Sequence, residues 1–272
     1  MLFQVGLYLF VTLMLMRWIG VFRKGSVNGP ARLTERSDTA YAGMVTILGL
    51  IVWFGGSVVL LGLFPQPAAG ESAMSTLQPF HIGLLAVLPP MAAFFTMLIA
   101  DIAGGAPLPR LLGYTADKIP PGLWKGAIGF AVIMPLMIVA MYALTLFYQL
   151  IGYEHPKAHQ YLAALDAAPL LAKLLILCGA TIAAPLFEEM LFRGHIQSMA
   201  TRAIGKPWVA IFITATLFAV IHEAWSAPPI LLLAIALGYA YERTGNLWVP
   251  IVMHALFNGT QTVLYLSGIA GR

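Results

Sequence analysis

Polar positions in this chain are few, and they punctuate long apolar runs. A helix needs about 20 apolar residues to cross a bilayer, and runs of that order recur at about 2–22, 41–64, 80–103, 124–151, 169–192, 207–222, 228–243 and 247–268. The pattern predicts an all-α fold, a polytopic transmembrane helical bundle of about eight spans. The sixth and seventh runs are short. The loops differ in charge. Arg23, Lys24, Arg32 and Arg36 follow the first run, Arg110 and Lys118 the third, Arg202 and Lys206 the fifth, and Arg243 the seventh. The opposite loops hold little beyond Lys157 and Arg272. Basic loops stay on the cytoplasmic side, which places both termini outside.

Composition strengthens this picture. Hydrophobic residues make up 60% of the 272 and charged residues 10%, against roughly a quarter charged in a soluble protein. The excess apolar surface must meet membrane lipid, and the expected location is the cell (inner) membrane. A net charge of +4 invites a nucleic-acid reading, but topology already accounts for the basic loops, so no nucleic-acid partner is expected. The single cysteine, Cys178, rules out an intrachain disulfide and any CxxC zinc spacing. Residues 1–22 lack the basic start and cleavage site of a removed signal peptide and read as a retained helix.

Several polar or irregular positions read as structural. Arg17 snorkels toward the basic side, and Pro89-Pro90 reads as a kink that neighbouring helices tolerate. Residues 107–122, rich in proline and glycine, read as an interfacial loop. His155, His159 and His81 read as solvated rather than as ligands.

One stretch resists that treatment. Pro185-Leu186-Phe187-Glu188-Glu189-Met190-Leu191-Phe192-Arg193-Gly194 places two carboxylates and an arginine inside an apolar helix, where charge is costly and marks function. Glu189 and Arg193 have the favourable i, i+4 order of an ion pair, which makes them a supporting strut. Glu188 points about 100° away and is the candidate for chemistry. The alternative, both glutamates in water at the interface, stays open on this pattern. Pro185 reads as a kink that opens room for water.

Helix lengths bring in the partners. Gly205-Lys206-Pro207 has glycine where a helix ends and proline where one starts. Glu188 lies 17 residues before Gly205 and His222 lies 17 after it, so each is roughly 25 Å from the turn at about 1.5 Å per residue. In an antiparallel hairpin they would share one depth, with the amphipathic 197–202 stretch projecting beyond the bilayer. A second turn at Thr244-Gly245-Asn246 leaves His254 about 14 Å and Asn258 about 20 Å up the last helix. These two share a face. The expected constellation is Glu188, His222, His254 and Asn258.

Glu188-Glu189-x-x-x-Arg193, Phe218-x-x-x-His222 and His254-x-x-x-Asn258 resemble, in order and spacing, the motifs of the CAAX-protease and bacteriocin-processing (CPBP, or Abi) family. The run from Tyr241 to Ile251 is similar to that family's connector. The resemblance covers about residues 168–268 and implies a catalytic core at 166–272 behind N-terminal helices at 1–165. It implies an eight-helix intramembrane endopeptidase of the glutamate type. In it Glu188 and His222 activate water while His254 and Asn258 stabilise the oxyanion. No metal and no cofactor is implied, and the substrate would be a membrane-associated peptide or lipidated protein. Amide and imidazole donors aimed at a developing oxyanion are worth several kcal/mol where water is excluded.

Other readings remain beside it. Glu223 adds a carboxylate directly after His222, and His195, seven residues after Glu188, reads as interfacial. A zinc site from His222, His254 and Glu188 is geometrically possible, although Ser226 breaks an HExxH pattern. A non-proteolytic scaffold or bacteriocin immunity protein is the second functional class. Transport is a third, disfavoured because the halves show no repeat.

Overall fold

The computed structural model describes residues 39–65, 77–105, 119–154, 164–165 and 168–267, with scattered helical positions between 6 and 17. The helices are α1 (Thr39–Gly62), α2 (Pro79–Ala103), α3 (Ile119–Leu150), α4 (Leu170–Ile204), α5 (Pro207–Val220), α6 (Ala227–Thr244) and α7 (Trp248–Leu266). No strand occurs among the described residues.

The chain is an integral membrane protein. Helices α1 to α4, together with the stretch Ala224–Thr244 that contains α6, are long and apolar enough to cross a membrane. Among the described residues these five are the candidate spans, against an expectation of about eight. Helix α5 is apolar but short, at 14 residues. Helix α7 falls outside the set, its apolar run broken by His254, Asn258, Gln261 and Thr262. Most of the first expected span, the basic residues Arg23, Lys24, Arg32 and Arg36 of the loop after it, His155 and His159 lie outside the described residues. Helix α3 starts at Ile119, earlier than the expected 124, because Pro120 and Pro121 fit a first turn whose N–H groups need no intrahelical acceptor. On α1 the side chains of Met44, Ile47, Ile51, Phe54 and Val58 are all exposed. They recur at alternating three- and four-residue intervals, a continuous apolar stripe that only lipid can cover.

The described helices divide into two compact units. The first comprises Met1–Arg36, Pro107–His155 and Phe192–His254. Here α3 approaches the start of α7 through Gly122, Gly126 and Gly129. A Cβ on Gly126 would lie 2.6 Å from Val252 Cβ and 2.9 Å from the Val249 carbonyl, and one on Gly129 would lie 2.6 Å from Met253 Sδ. Gly122 and Gly126 form a GxxxG pair, which lets two helix backbones approach where no hydrophobic effect drives them together.

The second unit comprises Ser37–Ala106, Pro156–Leu191 and Ala255–Arg272. Helix α1 packs along α2, where Gly49 admits Met97 and Tyr41 donates its hydroxyl to the Ala100 carbonyl. Helix α2 meets the first half of α4 at two more glycines, Gly83 against Leu175 and Gly179 against Ala86. Pro89 and Pro90 are buried inside α2, whose helical run continues through both. His81 is half-buried and stacked on Phe64, with centroids 4.2 Å apart. Its expected solvation is therefore only partial, with one imidazole face covering an aromatic ring.

Candidate active site

Helix α4 is not a uniform α-helix. Gly179–Ala183 is π-helical, Ala184–Glu189 is α-helical, and Met190–Gln197 is π-helical again. Glu188 and Glu189 therefore sit at the end of a six-residue α segment between two widened ones. Proline explains part of this. Pro185 has no N–H to donate, and in a regular helix its ring would press on the carbonyl four residues back. A π segment just ahead opens the ladder at that point. The expected irregularity at Pro185 thus takes the form of a change in hydrogen-bond register. Such π segments are rare and are frequent at functional sites.

The register change alters two sequence arguments. The i, i+4 pairing of Glu189 with Arg193 and the seven-residue alignment of Glu188 with His195 both assumed α-helical spacing. From Met190 onward residues five apart align instead; the Ser198 hydroxyl donates to the Arg193 carbonyl, five residues back, at 3.0 Å. His195 is 1% exposed, so it is a buried residue and not an interfacial one. Glu189 and Arg193 are both fully buried, while Glu188 is half-buried.

In the second unit Asn258 reaches the first π segment, where its Nδ2 donates to the Ala180 carbonyl at 2.8 Å. An asparagine amide has two N–H groups. This bond uses one of them and orients the side chain toward the stretch that leads to Glu188.

The two histidines come together in the first unit. His222 follows the end of α5, and its Nδ1 lies 2.6 Å from the Phe218 carbonyl. A carbonyl only accepts, so Nδ1 carries the proton and Nε2 presents its lone pair. The Phe218 ring lies 4.5 Å from the His222 ring and 5.8 Å, edge-on, from the His254 ring. The Arg193 guanidinium sits 4.6 Å from the centroid of Phe218, and its Nη2 donates to the Ala234 carbonyl at 3.3 Å. Phe192 meets Phe218 at 5.0 Å. Phe192 and Phe218 each stand 13 residues from Gly205, whose φ of +70° closes the turn as expected. Inside this unit the two arms of the hairpin are of equal length.

Sequence reasoning missed a buried polar network beside this hairpin. Gln197 Nε2 donates to the Gly238 carbonyl at 3.0 Å and to Glu242 Oε1 at 3.2 Å. The Thr201 hydroxyl shares its single proton between Glu242 Oε1, at 3.0 Å, and the Gln197 carbonyl, at 2.9 Å. The Tyr241 hydroxyl lies 3.5 Å from Ser198 Oγ. Gln197, Ser198, Thr201, Tyr241 and Glu242 are all buried, so the 197–202 stretch does not stand free in water as its amphipathic pattern suggested. It holds α4 to α6. Removing the Glu242 carboxylate leaves one buried Gln197 N–H without its acceptor, at about 1–3 kcal/mol. Glu242→Ala is therefore expected to destabilise the fold by about 1–3 kcal/mol, read as a lower thermal midpoint in detergent. An unchanged midpoint would show that water satisfies this group.

Glu223 has a loop role. One of its carboxylate oxygens accepts the Trp225 indole N–H at 2.7 Å, and its carbonyl accepts from the Ser226 N–H and hydroxyl at 2.9 Å each. Tyr148 donates to the Trp225 carbonyl at 2.6 Å, which ties the loop to the end of α3. Asp101, buried near the end of α2, was also passed over, although a carboxylate inside an apolar span is itself a signal. Among the described residues no three His, Cys, Asp or Glu side chains are grouped to hold a metal ion.

Comparison with known proteins adds one finding. Residues 170–260 match the family model of the type II CAAX prenyl endopeptidase, Rce1-like. This segment is Rce1-like. It contains all three polar motifs, from Glu188 to Asn258, and agrees with the resemblance drawn from them. No curated protein and no solved structure matches the chain significantly. The Rce1-like segment is the portion that holds both π segments, the Phe218 cluster and the Glu242 network.

Proposed function

We propose that the protein is an intramembrane endopeptidase that hydrolyses a peptide bond of a CAAX-type or related membrane-associated substrate, in the cell (inner) membrane. The observation that carries the reading is the Rce1-like match over the segment that contains the three polar motifs. In this reading Glu188, assisted by His222, takes a proton from water. The resulting hydroxide attacks the scissile carbonyl carbon, and His254 and Asn258 donate hydrogen bonds to the oxyanion. Collapse of the tetrahedral intermediate breaks the C–N bond, and the proton held by Glu188 passes to the leaving amine.

Two features support this assignment of roles. The His222 tautomer leaves Nε2 available to a water molecule. One Asn258 N–H remains for an oxyanion after the bond to Ala180. Glu189 and Arg193, both buried, are assigned the supporting role. The physical logic is general base catalysis followed by electrostatic stabilisation of the oxyanion.

The test is a small panel of farnesylated and unmodified peptides, incubated with purified protein with and without a chelator. Cleavage that survives the chelator supports the glutamate mechanism. Loss of cleavage that is restored by added zinc would replace it with the zinc-dependent version. Cleavage limited to farnesylated peptides would assign the CAAX class. No cleavage of any peptide, with a phenotype that survives Glu188→Ala and His222→Ala, would favour a scaffold or immunity role.

A further inference from the structure

We infer that Phe218 is a positioning residue that sets the plane and separation of the His222 and His254 imidazoles, with Arg193 pinning its ring. The inference deepens the proposed endopeptidase reading and rests on it for the roles of the two histidines. Its geometry lies entirely within the first unit.

Phe218 holds His222 twice. Its carbonyl accepts the Nδ1 proton at 2.6 Å, and its ring packs against the imidazole at 4.5 Å, tilted by 34°. The first contact selects the tautomer; the second limits rotation about the remaining side-chain torsion. The same ring presents itself to His254 at 5.8 Å with an interplanar angle of 75°. A T-shaped pair of this kind is a favoured electrostatic arrangement, because ring faces are negative and ring edges positive.

The ring is itself immobilised. Phe218 is 1% exposed and meets Phe192 edge-to-face, with an interplanar angle of 81°. The Arg193 guanidinium lies 4.6 Å from its centroid, within the range of a cation–π contact. Arg193 is fully buried and anchored to the Ala234 carbonyl, so it is a fixed point. The chain of contacts runs from α6 through Arg193 to Phe218, and from Phe218 to both imidazoles. An aliphatic side chain at 218 could fill space, but it would offer neither a quadrupole to Arg193 nor a flat face to His222.

The experiment compares Phe218→Leu and Phe218→Tyr with the parent protein, with nitrogen-labelled histidine for NMR of the imidazoles in detergent. Leucine is expected to lower kcat about 10- to 100-fold, the scale of a misplacement of roughly 1 Å, with KM within about twofold. The His222 and His254 ring signals should both move or broaden in the same variant. Tyrosine, which keeps the ring, should restore both the signals and most of kcat. Should the leucine variant not fold, Phe218→Met provides a second side chain without a ring.

A ringless variant that folds and keeps kcat within about twofold overturns the inference. So does one that loses activity while both imidazole signals stay where they are. The endopeptidase reading fails separately, if His222→Ala still cleaves. In that case the imidazole signals of the Phe218 variants still decide whether this residue positions them.

Discussion

Glu188→Gln is expected to leave a folded, membrane-inserted protein that cleaves its peptide at least about a thousandfold more slowly than the parent. Glutamine keeps the shape and length of glutamate, so packing around the half-buried side chain should be little changed. What it loses is basicity: an amide oxygen does not take a proton from water near neutral pH. Removing a general base alone costs about 10²–10⁴ in rate, and the electrostatic support of the tetrahedral intermediate goes with it. The measurement is kcat on the best peptide of the panel, with the thermal midpoint in detergent as the control for folding. Undiminished cleavage by Glu188→Gln would remove this residue from the mechanism.

The second large effect is expected at His222. His222→Ala should lower kcat by about 10²–10⁴, the range of a lost acid–base partner. The argument is local to the first unit. Nδ1 is engaged with the Phe218 carbonyl at 2.6 Å, so Nε2 is the nitrogen that can act, and alanine removes both. The cost to stability should be small, because His222 lies beyond the end of α5 and is half-buried. His222→Asn provides a sharper comparison. Its shorter side chain can still reach a nearby backbone carbonyl, but it has no basic lone pair. If the asparagine variant cleaves as fast as the parent, His222 is a helix-end tether and no more.

Much of this protein was legible because the membrane reduces the number of solutions. Apolar runs of span length located α1 to α4, and the two glycine turns fell where helix-ending chemistry put them. Gly205 and Gly245 both have positive φ, at +70° and +59°, a conformation that costs glycine little. The clustering of rare polar residues inside apolar runs pointed to the three motifs, and the Rce1-like match over 170–260 agrees with that signal.

Other features were not legible. Periodicity assumes 3.6 residues per turn, and α4 departs from that over 179–183 and 190–197. A π register depends on which carbonyls find partners elsewhere, as Ala180 does with Asn258 and Arg193 with Ser198. The amphipathic look of 197–202 likewise suggested water. Polar side chains on one face fit a buried network as well as a solvated surface, and only Glu242 on α6 distinguishes the two.

The sequence by itself determined the solvent, the helical class, the turns and the residues rich enough in chemistry to form a site. Those depend on composition and on local backbone preference, which travel with the chain. Tertiary structure decided the register of α4, the tautomer of His222 and the meeting of two imidazoles on one phenylalanine ring. Those depend on hydrogen bonds and contacts between residues up to tens of positions apart, such as Phe218 with His254 and Arg193 with Ala234. The pair of glutamates stands at the centre of the proposal, on a short α-helical segment held between two π-helical ones.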